Sequence, residues 1–172
     1  MRFLADVMLQ RLARWLRLLG LFVEQPNATD DDEIILHCSK NDLILLTRDS
    51  RMSQKAMNYC RCFLVKPSAI EEQILAVCIE FGVNLSKIKP EDIPSEAICS
   101  MCNGELKKVP RLSVKARVPP NSYKHSKKFW FCTTCKKIYW EGSHNKKIQQ
   151  EFKQLQKLQK RKNQTCGPEP TN

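Results

Sequence analysis

Four cysteines carry the strongest chemical signal in the chain. Cys99-x2-Cys102 and Cys132-x2-Cys135 form two tight pairs separated by 29 residues. Spacing by two lets both sulfurs of a pair reach one ion, and two pairs complete the tetrahedral thiolate shell that Zn²⁺ prefers. Four thiolates leave no open coordination position, so the zinc expected here is structural. His125 and His144 are then spare as ligands. The Asn103-Gly104 dipeptide supplies a left-handed turn residue after the first pair, and Lys136 and Lys137 after the second offset the charge of the thiolates. A redox pair is the competing reading for either motif alone.

A second set of residues is acidic. Asp6, the cluster Asp30-Asp31-Asp32-Glu33, and Asp49 are far apart in sequence, yet each follows or begins an element that can bring it to one edge. Carboxylates that converge repel one another unless a cation compensates. A hard ion such as Mg²⁺ or Mn²⁺ suits oxygen ligands, polarises a phosphodiester and activates water. Arg48 and the arginines Arg11 and Arg14 are candidates to hold the substrate's phosphates. The plainer alternative is that Asp6, Asp30 and Asp49 are helix N-caps, a position that favours aspartate. Arg11, Arg14 and Arg17 then read as a solvated helix face, and Trp15 as packing.

The elements that must position these residues alternate strand and helix. Phe3 to Ala5 reads as a strand, followed by a helix with Leu9, Leu12, Leu16 and Leu19 at helical spacing and Gly20 as its stop. Leu21 to Val23 reads as a strand. Thr29 or Asp30 caps a helix carrying Ile34, Ile35 and Cys38, with Glu33 as a capping-box partner. Leu43 to Leu46 is continuously apolar, as expected of a strand covered on both faces. A short helix through Met52 and Met57, a strand Cys62 to Val65 and a helix from Ile70 to Phe81, stopped by Gly82, complete four strand-helix units. The predicted fold is α/β: a small open parallel sheet over residues 1–82, with functional residues at the strands' carboxyl ends. Residues 83–98 read as a linker and 99–145 as a zinc ribbon. Residues 146–172 read as a basic tail with a marginal amphipathic helix through Ile148, Phe152, Leu155 and Leu158, and the last ten residues as disordered.

The net charge of +11 is divided unevenly. Residues 1–82 carry 10 Lys/Arg against 11 Asp/Glu, and residues 83–172 carry 19 against 7. Such separation makes the second half the polyanion-facing half. Aromatic rings beside lysines suit single-stranded RNA, because rings stack on bases while cations hold the backbone. Phe129 and Phe131 read as core of the ribbon, whereas Trp140 and His144 read as more open. The lysine run from Lys146 to Lys162 is either a solvated face or a source of phosphate contacts. No run approaches the roughly 20 apolar residues of a membrane span. Nine cysteines without a secretory pattern point to an intracellular protein, cytoplasmic or nuclear. The first 19 residues hold four arginines like a mitochondrial presequence, but they lack serine and carry Asp6.

Taken together, the opening Phe-Leu-Ala-Asp and Leu-Ala-Arg-Trp-Leu-Arg-Leu-Leu-Gly, the aspartate cluster, Leu-Leu-Thr-Arg-Asp, the paired cysteines and Tyr-Trp-Glu-Gly-Ser-His resemble a known family. It is the PIN-like ribonuclease domain with a fused zinc ribbon, which occurs at the C-terminus of Mut-seven type exonucleases and as stand-alone proteins. The resemblance covers residues 2 to about 148. It implies a PIN-like nuclease fold, RNA as substrate, and a divalent-metal site at Asp6, Asp30 or Asp31, and Asp49, with Cys99, Cys102, Cys132 and Cys135 as ribbon ligands. Many PIN nucleases have a fourth acid; the later candidates here, Glu71 and Glu72, fall in an ordinary helix. The rival expectations are an RNA-binding module without turnover, or an adaptor whose ribbon binds a protein.

Overall fold

The computed structural model of the protein describes residues 1–93 and 98–165. Four parallel strands, β1 (Arg2–Ala5), β2 (Phe22–Glu24), β3 (Ile44–Thr47) and β4 (Cys62–Leu64), alternate with helices α1 (Gln10–Leu18), α2 (Asp31–Lys40), α3 (Ser50–Ala56) and α4 (Ile70–Glu80). A 3-10 turn, Val7–Leu9, precedes α1. The strand order is β2-β1-β3-β4, with Phe3 beside Ile44 and Ala5 beside Leu46. This is the small parallel sheet the periodicity predicted. Alternating side chains divide it into two packed faces. Phe3, Ala5, Ile44 and Leu46 pack with Leu12, Leu16 and Ile74 on one side. Leu4 and Leu45 pack with Ile34, Ile35, Cys38 and Met52 on the other. Gly20 (φ 82°) and Gly82 (φ 65°) take the left-handed conformation that ends α1 and α4.

Of the segment 83–98 that read as a linker, residues 94–97 lie outside the described residues, and residues 83–93 are part of this core. Its two 3-10 turns, Leu85–Lys87 and Pro90–Asp92, place Leu85 and Ile93 at 0% and 3% exposure in the larger apolar cluster. The cause lies far along the chain. Helix α6, whose described course is Ser143–Thr165, lays Phe152 (0% exposed) and Leu155 (1%) into the same cluster. Gln159 accepts from the Leu85 N–H (2.9 Å) and donates to the Val83 carbonyl (2.8 Å). Gln156 donates to the carbonyls of Leu85 and Ile88 at 2.8 and 2.9 Å. The expected basic tail is therefore, through Thr165, a helix docked on the first unit, because its apolar stripe and two glutamines complete that unit's surface. Of the ten terminal residues read as disordered, 163–165 end α6; the remainder, Cys166 included, lie outside the described residues.

Between these parts, strands β5 (Leu106–Val109), β6 (Phe129–Cys132) and β7 (Ile138–Trp140) form an antiparallel sheet in that order. The long segment between β5 and β6 folds into a 3-10 stretch, Arg111–Arg117, and helix α5 (Pro120–His125). Together with the sheet it builds a small core of Val114, Val118, Phe129 and Ile138. No helix among the described residues is long and apolar enough to cross a membrane.

Candidate functional site

Strand order reverses between β1 and β3, the point outside whose carboxyl ends open α/β sheets bind ligands. Asp6 leaves β1 there, and Thr47 ends β3 beside it. Asp6 is 7% exposed and holds the cap position of the turn Val7–Leu9, but its side chain caps nothing. Its Oδ2 instead accepts from the Thr47 hydroxyl at 3.0 Å. Thr47, fully buried, in turn accepts from the Asp49 N–H at 3.0 Å. One hydroxyl thus ties the two aspartates together across the switch point. The N-cap alternative fails for Asp6 and holds for the others. Asp49 Oδ1 accepts from the N–H groups of Arg51 (2.7 Å) and Met52 (3.0 Å), starting α3. Asp30 Oδ1 accepts from Asp32 (2.9 Å) and Glu33 (3.1 Å), starting α2. The backbone donors of Met52 and Arg51 hold the Asp49 carboxyl below its ordinary value. Each aspartate uses one oxygen in these bonds. The other oxygen accepts no hydrogen bond among the described residues, so capping and cation binding are compatible.

The acidic residues do not stand as a closed cage. Among the described residues, the four cysteines are the only group of three or more His, Cys, Asp or Glu close enough together to hold one ion. Asp31 is exposed at the start of α2. Its neighbour Asp32 pairs with Lys55, and that contact raises the lysine's pKa against the opposing effect of burial, with the charges of Asp30 and Asp31 adding to it. Arg11, Arg14 and Arg48 are all exposed, and their side chains make no hydrogen bond or ion pair among the described residues.

The cysteine site is built differently. All four sulfurs lie within 4.8 Å of one another. Cys99 and Cys135 are 3.7 Å apart, and Cys102 and Cys132 are 3.5 Å apart. A tetrahedron with Zn–S bonds of about 2.3 Å has edges of about 3.8 Å, whereas a disulfide is about 2.05 Å. The arrangement fits a single tetrahedral ion such as zinc, and the sulfurs are not joined as disulfides. Both knuckles turn alike: Asn103 and Lys136, each directly after its pair, have φ 62°. Their N–H groups donate to the Cys99 carbonyl (3.0 Å) and the Cys132 carbonyl (3.1 Å). Asn103 itself, and not Gly104, is the left-handed residue. Gly104 is required by close approach, since a Cβ there would lie 2.6 Å from Thr134 Oγ1 and 2.7 Å from Cys132 Sγ. Tyr139 sets its hydroxyl 3.1 Å from Cys99 Sγ. Burial would raise the Cys99 thiol, but the Tyr139 hydroxyl and the N–H groups of Met101 and Cys102 outweigh it and bring the pKa down to about 7.

The reading of Arg17 as solvated is corrected by the structure. It is 2% exposed. Its guanidinium donates to the Val23 carbonyl (2.8 Å from Nε), to Asn103 Oδ1 (3.1 Å), and to the carbonyls of Ser100 (2.9 Å) and Met101 (3.2 Å). Asn103 completes the joint, accepting from the Val23 N–H (3.0 Å) and donating to its carbonyl (2.8 Å). The asparagine amide therefore pairs with edge strand β2 as another strand would, and the first cysteine knuckle is seated on the sheet. Burial lowers the Arg17 pKa, opposed by the nearby charges of Cys102 and Cys99. Sequence reasoning missed Arg17 and Thr47 in these roles, and it took Asn103 only as a turn residue.

Trp140 is half-buried against the ribbon cluster, while His144 is exposed at the start of α6. Phe131 is the ring flanked by cations, with Arg117 at 5.4 Å and Lys136 at 5.7 Å from its centroid. Trp15 is 8% exposed, in keeping with its reading as packing. No curated protein and no solved structure gives a match to the chain. The family model described as the Mut7-C RNAse domain matches residues 1–152, spanning the sheet, the switch-point aspartates, the cysteine site and the first part of α6, and the chain belongs to that family.

Proposed function

We propose that the protein is a divalent-metal-dependent ribonuclease that hydrolyses RNA phosphodiester bonds, with the ribbon and α6 binding single-stranded RNA. The observation that carries this reading is Asp6: a buried carboxylate that caps no helix, tied through Thr47 to Asp49 at the switch point. The carboxyl ends of the strands at a switch point are where open α/β sheets place their ligands, which is where this acid sits.

The donor set fits Mg²⁺ or Mn²⁺. Mg²⁺ keeps several waters and takes one or two carboxylates plus substrate phosphate, so a preformed cage is not needed. Asp6 and Asp49 would hold the ion through their unengaged oxygens, with Asp30 or Asp31 at the rim. Bound there, the ion supplies phosphoryl polarisation and an activated water. Thr47 fixes the Asp6 carboxylate relative to the Asp49 backbone. Arg11, Arg14 and Arg48 bind phosphate, and Lys55 keeps the acidic start of α2 from adding its full repulsion to the site. The zinc site is structural and keeps the ribbon seated beside β2.

Helix α6 supports the RNA reading by its periodicity. Lys146, Lys153, Lys157 and Lys160 fall on one stripe opposite Phe152 and Leu155, and the four lysines are exposed. His144 is exposed at the start of α6, off this stripe. Thiols that remain unpaired suit an intracellular compartment. The rival reading, an RNA-binding module without turnover, draws on the open spacing of the acids. Incubating a labelled single-stranded RNA with the protein and Mn²⁺, with and without excess chelator, separates the two. Cleavage that chelation stops is expected; binding without any cleavage would establish the rival.

A further inference from the structure

Directly beyond Asp6 the chain sets two apolar side chains in solvent. Val7 and Met8 are 53% and 65% exposed, while Leu9 beside them is buried. They belong to the turn that opens into α1, and that turn lies against the end of β3. Val7 and Arg48 each directly follow one member of the Asp6–Thr47 hydrogen bond. Met8, Arg11 and Arg14 recur every three residues and share one exposed helix face. From Met8 to Arg14 that face runs about 9 Å at the helical rise.

A single exposed apolar side chain needs no explanation. Two in succession, beside a buried carboxylate and with three exposed arginines that have no side-chain partner among the described residues, form a surface with two chemistries. The guanidinium groups match phosphate oxygens. The aliphatic and thioether surface matches the flat face of a nucleobase, and methionine adapts its shape to whatever lies on it. A base face is available only where the strand is not stacked in a duplex. We propose that Val7 and Met8 form a shelf for the base of the nucleotide nearest Asp6, with Arg11, Arg14 and Arg48 holding the phosphates of one single RNA strand. The shelf determines where the strand enters the switch-point crevice, and it favours single-stranded over duplex substrate. The assignment rests on the ribonuclease reading for its substrate class, but it concerns binding and is tested without turnover.

Fluorescence anisotropy of the full chain with a labelled single-stranded oligoribonucleotide, in chelator to prevent cleavage, measures it directly. The double variant Val7→Ser/Met8→Ser should bind the single strand about tenfold more weakly, within the range found for loss of one base contact. The slope of log affinity against log salt should not change. Arg11→Gln should instead reduce that slope by about one. A duplex of the same length should bind the wild type and the double variant equally. Met8→Leu, which keeps the apolar shelf, should bind like the wild type and guards against a folding artefact. Unchanged single-strand affinity in the double variant, or an equal loss for single strand and duplex, would overturn the shelf. Manganese-dependent cleavage by the wild type is read separately, so a protein that binds as described but never cleaves refutes the ribonuclease reading alone.

Discussion

Replacing Arg17 by methionine tests the joint between ribbon and sheet. The substitution keeps most of the side-chain volume and removes the guanidinium, which is 2% exposed. Not every partner suffers. The Val23 carbonyl still accepts from Asn103 Nδ2 at 2.8 Å, and Asn103 Oδ1 still accepts from the Val23 N–H at 3.0 Å. The carbonyls of Ser100 and Met101 lose the donor that held them, at 2.9 and 3.2 Å. An orphaned acceptor costs about 1–3 kcal/mol when buried, and these two carbonyls are only part-buried, so each loss stands near the lower end. Two such losses, together with a cation taken from beside the cysteine thiolates, amount to about 2–4 kcal/mol. At about 2–4 °C per kcal/mol for a chain of this size, the melting temperature should fall by roughly 10 °C. Zinc should also leave faster to a chromogenic chelator, because the first knuckle is no longer seated. Arg17→Lys should fall between the two proteins, since an ammonium lacks the fork that reaches several carbonyls. A shift below about 2 °C with unchanged zinc release would refute the reasoning, because the smallest single loss already exceeds it.

Phe152→Ala should destabilise the protein by about 3–5 kcal/mol in urea unfolding, since its ring is fully buried in the core shared with Leu85 and Leu16. A change below 1 kcal/mol would mean that α6 is not docked in solution. Gly104→Ala should lower zinc occupancy, measured by elemental analysis, because its Cβ would meet Cys132 Sγ at 2.7 Å; full occupancy in that variant would contradict the close approach. The pKa of Asp49 is depressed in the fold, so its charge-dependent contribution is complete above the ordinary carboxylate pKa of 3.8 and is lost as pH falls through the lower folded value. The stability difference between wild type and Asp49→Asn should therefore be constant from about pH 7 to 5 and change below about pH 4. A difference that stays constant down to pH 2.5 would contradict the capping geometry.

The local patterns that generate strands and helices were readable in the chain, because apolar spacing in Leu12, Leu16 and Leu19, or in Leu43 to Leu46, reports directly which face is covered. The cysteine site was equally readable, since two tight pairs need only one ion to bring them together. What the chain did not reveal depends on partners far away in sequence. Arg17 follows a buried leucine in an amphipathic helix, and nothing local distinguishes it from Arg14; its partners besides Val23 are 83 to 86 residues downstream. Residues 83–93 look like a linker until Gln156 and Gln159 satisfy their backbone groups. The site aspartates were legible as candidates, but only the structure separates Asp6, which caps nothing, from Asp30 and Asp49, which cap.

The most direct measurement of the central claim is single-turnover cleavage of a single-stranded RNA by Asp6→Asn beside the wild type, in saturating Mn²⁺. The amide oxygen can still accept the Thr47 hydroxyl, so fold and RNA affinity should be kept while one anionic ligand is lost. Wild-type cleavage that stops on chelation, with Asp6→Asn reduced to the level of the chelated control at unchanged melting temperature, is the predicted result. Undiminished cleavage by Asp6→Asn would contradict the claim that the buried carboxylate at the switch point does the chemistry.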